Sequence, residues 1–293
     1  MPAGGTDYVL ITAARNEEAY VAGAIESVAC QTIPPRRWVI CLNSCSDRTE
    51  EIVRERLDST PFISVLNIEG RRERSFANKV TAIARGFQEV DPLSFSLVGV
   101  LDADITFESR FYERLIVKFA DNPRLGIAAG THIECLRSGA KRILRQPRDL
   151  AVCGAQFFRR ECFEEIGGYR PVNWGGEDTL AAVMAQMKGW QTITYDDIEY
   201  FHHREMGTEG LSTVLGKYRD GVRDQKLGVP VTYAALKFLK RLPERPAGIG
   251  ALARLVGFCA AFFLPDDPGI PAECRAFLRK EKLGRLRGFC SRK

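Results

Sequence analysis

The sequence predicts an α/β fold, a mostly parallel sheet flanked by helices, and three observations carry that expectation. Short apolar runs alternate with segments of helical period through the first half of the chain. Polar and small residues gather where those runs end, along the edge at which open α/β sheets bind ligands. At 293 residues with ordinary globular composition, the chain can bury a full core as one large domain or a domain plus an appendage.

Tyr8–Thr12 reads as the first strand. Asn16 is placed to cap a helix whose first turn holds Glu17 and Glu18, favourable at the positive end of a helix dipole. Trp38–Leu42 is the second strand, and Asp47-Arg48-Thr49-Glu50 a capping-box-like start to a helix through Arg56. Phe62–Leu66 is the third strand. A helix over Ser75–Gln88 puts Phe76, Val80, Ile83 and Phe87 on one face. Ser96–Leu101 is the fourth strand, with further strands at Leu125–Ala129, Gln156–Arg159 and Ile198–Phe201.

The fourth strand runs into Asp102-Ala103-Asp104. Carboxylates two residues apart share one side of an extended backbone, and two like charges there are costly without a cation. Their oxygens suit Mg2+ or Mn2+. A strand-to-helix turn in which Asp simply caps the next helix is the competing reading. The edge also holds Thr12-Ala13-Ala14-Arg15-Asn16-Glu17 and Asn43-Ser44-Cys45-Ser46-Asp47. Neither Gly-x-Gly-x-x-Gly after the first strand nor a Walker-type phosphate loop is present.

Four segments in order resemble the family 2 glycosyltransferases of the GT-A fold. They are Ile11-Thr12-Ala13-Ala14-Arg15-Asn16-Glu17-Glu18, Asn43-Ser44-Cys45-Ser46-Asp47-Arg48-Thr49, Asp102-Ala103-Asp104 and Gly175-Gly176-Glu177-Asp178. The resemblance covers roughly residues 7–205 and implies a GT-A Rossmann-like catalytic domain over residues 1–210. It implies that Ala13, Arg15 and Glu17 line the nucleobase and ribose pocket. Asn43 stands where an Asp often holds the base, Lys79 where a basic residue contacts the nucleotide, and Ala84 where the family often has Asn. Asp102 would contact ribose or metal, and Asp104 would bind Mn2+ or Mg2+, with His202 or His203 as a further ligand. Successive strand residues point oppositely, so one histidine faces the metal, and His203 is the expected one; His132 would face the acceptor. Asp178 would be the general base, with Glu177 orienting it or the acceptor, although a plain helix start explains both carboxylates too. The implied activity is metal-dependent, inverting transfer from a nucleotide sugar to a glycan or polyprenyl-linked acceptor in envelope polysaccharide synthesis. A nucleotidyltransferase is the alternative enzyme, but its Gly-rich first loop is not seen at Ala13-Ala14-Arg15-Asn16. A non-catalytic nucleotide-sugar-binding protein at a membrane is the other alternative.

Residues 211–293 form a different region, expected to be a helical basic extension. It holds 17 Lys and Arg against 7 Asp and Glu, so its net charge is +10, while the first 210 residues carry −5 of the total +5. That asymmetry suits anionic partners; nucleic acid is disfavoured, because no aromatic platform accompanies the charge. Ala247–Leu264 is apolar but only about 27 Å long as a helix, and Arg254 near its middle opposes a membrane span. In-plane attachment to an anionic membrane face and a buried core helix are both open readings. The nine cysteines include no Cys-x-x-Cys pair, and no amino-terminal signal is visible, which suggests a reducing, cytoplasmic setting.

Overall fold

The computed structural model describes residues 7–68, 76–136, 139–144, 147–152, 154–204, 213–243 and 248–290. Ser75 and Ala247, which bound segments named above, lie outside them. The first half alternates as expected: β1 (Tyr8–Ala14), α1 (Val21–Ala29), β2 (Arg37–Asn43), α2 (Thr49–Arg54), β3 (Ile63–Ile68), α3 (Phe76–Val90), β4 (Leu97–Leu101), β5 (Ile105–Phe107) and α4 (Phe111–Asp121). Then follow β6 (Leu125–Cys135), β7 (Lys141–Leu144), β8 (Ala155–Arg159), α5 (Arg160–Glu165), α6 (Glu177–Met187) and β9 (Gln191–His202). The sheet order is β3-β2-β1-β4-β8-β6-β9-β5, with β7 pairing the carboxyl-terminal part of β6 off this path. The strands β3-β2-β1-β4 are mutually parallel, so their carboxyl ends share one edge. β8 then runs antiparallel between β4 and β6, and β5 antiparallel against β9.

The core follows from the apolar runs. β1 and β4 are buried along almost their whole length, as strands covered on both faces must be. α3 buries Val80 and Ile83 from the expected face against this sheet. A cluster of tilted and edge-on rings, Tyr8, Tyr112, Phe157 and Phe119, fills the other side.

One expected helix start is displaced. Asn16 does not cap α1, which begins at Val21 with no side-chain cap. Asn16 takes φ +55° and accepts the Ser46 N–H at 2.9 Å. The Glu17 N–H donates to Thr49 Oγ1 at 2.7 Å, and the Glu18 N–H to Asp47 Oδ2 at 3.1 Å. Polar side chains that could have capped a helix bind the neighbouring loop instead, stitching the β1 and β2 carboxyl ends together.

The extension is helical: α7 (Thr213–Lys226), α8 (Val231–Arg241), α9 (Ile249–Ala260), a 3-10 turn at Ala261–Phe263, and α10 (Ala272–Cys290). α7 and α9 pack with backbones in contact. A Cβ on Gly221 would fall 1.9 Å from the Arg254 carbonyl oxygen, and one on Gly257 2.0 Å from that of Tyr218. The apolar run is thus a 12-residue helix, about 18 Å long, and no described helix is long and apolar enough to cross a membrane. Leu227, Val229, Phe258, Ile270, Cys274 and Leu278 form a second core with Val172, Leu180 and Val183 of the preceding part.

Candidate active site

The carboxyl edge of the parallel strands gathers most of the expected site residues. Asp102 follows β4 directly, and its N–H donates to the Gly154 carbonyl at 2.7 Å. That approach needs glycine: a Cβ at position 154 would lie 2.5 Å from Asp102 Oδ2. Lys79, on α3, reaches Asp102 Oδ1 at 2.7 Å and Glu177 Oε1 at 3.4 Å. Burial works to lower the Lys79 pKa, but Asp102, Glu177 and Asp178 outweigh it and hold the ammonium above its ordinary range. Lys79 therefore ties the strand aspartate to the start of α6.

Asp104 is buried between β4 and β5. His202 Nε2 lies 3.5 Å from Asp104 Oδ1, and Arg204 Nε 3.3 Å from Oδ2. Arg204 also donates to Glu17 Oε2, so one guanidinium joins the β1 loop to the aspartate. One oxygen from each of Asp102 and Asp104 and one ring nitrogen of His202 all fall within 4.8 Å of one another. Two carboxylates and an imidazole form a donor set that fits Mn2+ or Mg2+, leaving positions for substrate oxygens.

The histidine in this group is His202, not the expected His203. β9 pairs antiparallel with β5, setting His202 opposite Ile105 and turning its side chain to the aspartate side. His203 points the other way, its Nε2 2.7 Å from Thr106 Oγ1. His132, on β6, lies with its ring tilted against that of His202, centroids 5.1 Å apart, and keeps a buried Nε2 with no hydrogen-bond partner among the described residues. Burial, and then His202, push His132 down to about 4, so it is neutral at pH 7.

Glu177 and Asp178 open α6 after Gly175 and Gly176, whose φ values of +79° and +94° only glycine adopts without strain. Glu177 is buried. Asp178 is half-buried, and its Oδ1 accepts the Thr179 N–H at 2.6 Å. Burial, then the Glu177 carboxylate, push the Asp178 pKa up, against Thr179, Arg223 and Lys79. Arg223 reaches this pair from α7 in the extension, its Cδ packed 3.0 Å from where a Gly176 Cβ would stand. Burial works against its guanidinium, and Asp220, Asp224, Asp178 and Glu177 more than compensate.

Three expected base-binding residues lie at the neighbouring ends of β1 and β2. Asn43 ends β2, buried, with an Oδ1 that has no hydrogen-bond partner among the described residues. Ala13 lies one strand over on β1, and half-buried Arg15 just beyond that strand. Arg204 and Arg223 were not singled out from the sequence. Arg204 carried one usable signal, its place directly after His202-His203 at a strand end; Arg223 sits in a basic helix with nothing local to mark it.

The sequence matches the profile described as glycosyl transferase family 2 over residues 9–177. The chain belongs to that family and is a glycosyltransferase of GT-A architecture. The match ends at Glu177, one residue short of Asp178. Among curated proteins, no sequence matches. Solved structures similar to this one include Staphylococcus aureus TarS 1–349, at 13% identity and TM-score 0.54 over 88% of this chain and 72% of that one. The same TarS fragment in complex with UDP-GlcNAc gives 13% identity and TM-score 0.56 over 82% and 73%. The mannosyltransferase PcManGT from Pyrobaculum calidifontis, in complex with GDP-Man and Mn2+, gives 18% identity and TM-score 0.54 over 95% and 80%. At these identities the likeness concerns the fold.

Proposed function

We propose that the protein transfers a sugar from a nucleotide-sugar donor to a glycan or polyprenyl-linked acceptor in polysaccharide synthesis, with a divalent cation and inversion at the anomeric carbon. The convergence of Asp102, Asp104 and His202 beside the Glu177–Asp178 helix start is the observation that supports it. Asp102, Asp104 and His202 would hold the cation. Bound Mn2+ or Mg2+ would offset the diphosphate charge as the leaving group departs. Ala13, Arg15, Glu17 and Asn43 are assigned to the nucleoside, Asn43 Oδ1 being an acceptor suited to a base N–H.

In the transfer step the acceptor hydroxyl oxygen bonds to the anomeric carbon, the bond from that carbon to the phosphate oxygen breaks, and Asp178 takes the hydroxyl proton. Its raised pKa makes Asp178 a stronger base than an ordinary carboxylate. Glu177 pairs with Lys79 at 3.4 Å, and its place beside Asp178 helps raise the basicity of that carboxylate. Work at the cytoplasmic face of a membrane fits a polyprenyl-linked acceptor and the basic extension.

Calorimetry with UDP, GDP, CMP and dTDP, with and without Mn2+, tests the donor reading. One nucleotide should bind more tightly with Mn2+, and Asp104→Ala should remove that gain. Tight binding that ignores Mn2+ in wild type would remove the metal role.

A further inference from the structure

Among the described residues, 14 large hydrophobic side chains stand exposed, and nine of them fall between Val231 and Phe263. Exposed apolar residues scattered singly need no explanation, but a concentrated patch does. On α9, exposed Ile249, Leu252, Val256 and Cys259 recur at intervals of three and four, and Phe263 continues the series. That stripe faces outward, while Ala251, Arg254, Gly257 and Phe258 face inward. α8 beside it buries no residue and exposes Leu236 and Leu239 by more than half. Phe262 and Phe263 cap the patch on the 3-10 turn, Phe263 being 91% exposed.

Arg254 decides what the patch can be. From sequence it opposes a membrane span; in the fold it turns inward, its Nε and Nη2 2.9 and 2.7 Å from Asp224 Oδ2. Lys237, the charge in the middle of α8, also turns to Asp224, at 3.0 Å. Arg254 is buried and half-buried Lys237 is drawn to the same carboxylate, so the outer face of α9 is left apolar from end to end. A helix apolar on all sides is covered by protein or by lipid.

We propose that α8, α9 and the Phe262–Phe263 turn form a face that docks in the plane of an anionic lipid membrane. Its rim favours lipid over a second copy of the chain. Lys240 is exposed at the end of α8, Arg241 follows it, and α9 holds no acidic residue. Neither α8 nor α9 holds an acidic residue, so a two-fold contact of these helices would set like charges against like. Anionic headgroups supply that missing charge while the acyl boundary takes Phe263 and the stripe. The assignment rests on the proposed membrane-held acceptor for its purpose and on the surface alone for its existence.

Vesicle flotation of the full chain tests it, using phosphatidylcholine alone and an equimolar mixture with phosphatidylglycerol. Wild type should float with the mixture at low salt and far less with phosphatidylcholine. Replacing both rings, Phe262→Ser with Phe263→Ser, should lower partitioning about tenfold or more. Lys240→Glu should reduce the preference for the anionic mixture. Calorimetry with Mn2+ and the preferred nucleoside diphosphate should be unchanged in these variants, which keeps the comparison to folded protein. Wild type that stays unbound to the mixture overturns the proposal, as does a double-Phe variant that floats equally well. A wild-type dimer in sedimentation velocity that the double-Phe variant dissolves would also overturn it, making the occupant a second copy. Flotation without nucleotide binding would leave the docking face standing and remove the sugar-transfer reading.

Discussion

Replacing Arg254 by Met keeps the length of the side chain and removes its charge from the layer between α7 and α9. Arg254 is 8% exposed and Asp224 7%, and the guanidinium also reaches Asp220 Oδ2 at 3.0 Å. Breaking a buried ion pair on one side costs about 3–5 kcal/mol, because the partner's charge stays buried. Here Asp224 keeps Lys237 and Asp220 keeps Arg223, which places the expectation near the lower end, about 3 kcal/mol. At about 2.1 cal/mol/K per residue, unfolding a chain of this size carries an entropy of about 0.6 kcal/mol/K, so the midpoint should fall by about 5 °C. The loss should depend on pH. Burial alone would raise the Asp224 carboxyl, but Lys237, Arg254 and Arg223 together hold it down at about 2. A carboxyl depressed in the folded state adds stability above its unfolded pKa of about 3.9, and that contribution is lost as pH falls through the folded value. The difference between wild type and Arg254→Met, in urea denaturation followed by circular dichroism, should be full at pH 7 and shrink between about pH 4 and pH 2. A difference under about 1 kcal/mol at pH 7, the size of an exposed pair, would refute the inward Arg254. So would a difference that does not shrink in acid.

Three predictions concern the active edge. Asp178→Asn should lower transfer by about 10²–10⁴-fold while donor binding by calorimetry stays near wild type; unchanged turnover reassigns the base. Because Asp178 must be ionised to accept a proton and its pKa is raised, the rate should climb with pH through an acidic limb above the ordinary carboxylate range. Glu177→Gln should move that limb to lower pH and Arg223→Met to higher pH, and a limb unmoved by both would place the titrating group elsewhere. Gly154→Ala should drive a Cβ against Asp102 Oδ2 at 2.5 Å and Ile105 Cδ1 at 2.8 Å, weakening Mn2+-dependent nucleotide binding about tenfold. Binding equal to wild type would mean that the close approach of Gly154 does not position Asp102 for the nucleotide.

The sheet was legible because strands buried on both faces leave uninterrupted apolar runs, and β1, β2 and β4 stand within two residues of where those runs lie. Helix starts were less so. Asn16, Glu17 and Glu18 satisfy every local rule for a helix amino terminus, yet their partners are Ser46, Thr49 and Asp47, some 30 residues on. Spacing alone said that only one of His202 and His203 could face Asp104, but which one is fixed by the β5 to β9 register, a non-local quantity. Arg254 illustrates the same limit: in a helix apolar all round, periodicity names no inner face, and the direction of the one charge depends on Asp220 and Asp224 of another helix. Arg223 was invisible for a related reason, since its partners at the start of α6 come from a distant part of the chain.

α6 is held between two cores. Ala181, Ala182 and Ala185 pack into the core of the main sheet, while Leu180 and Val183 belong to the cluster shared with Leu227 and Val229 after α7, and with α9 and α10. The helix whose start carries Glu177 and Asp178 thus packs against both the main sheet and the helical extension. A chimera that grafts a foreign extension after residue 210 would strip one wall from the helix that presents Glu177 and Asp178, together with the Arg223 cation beside them. Interchangeable parts of this enzyme are better cut ahead of Val172, so that α6 travels with the helices that grip it.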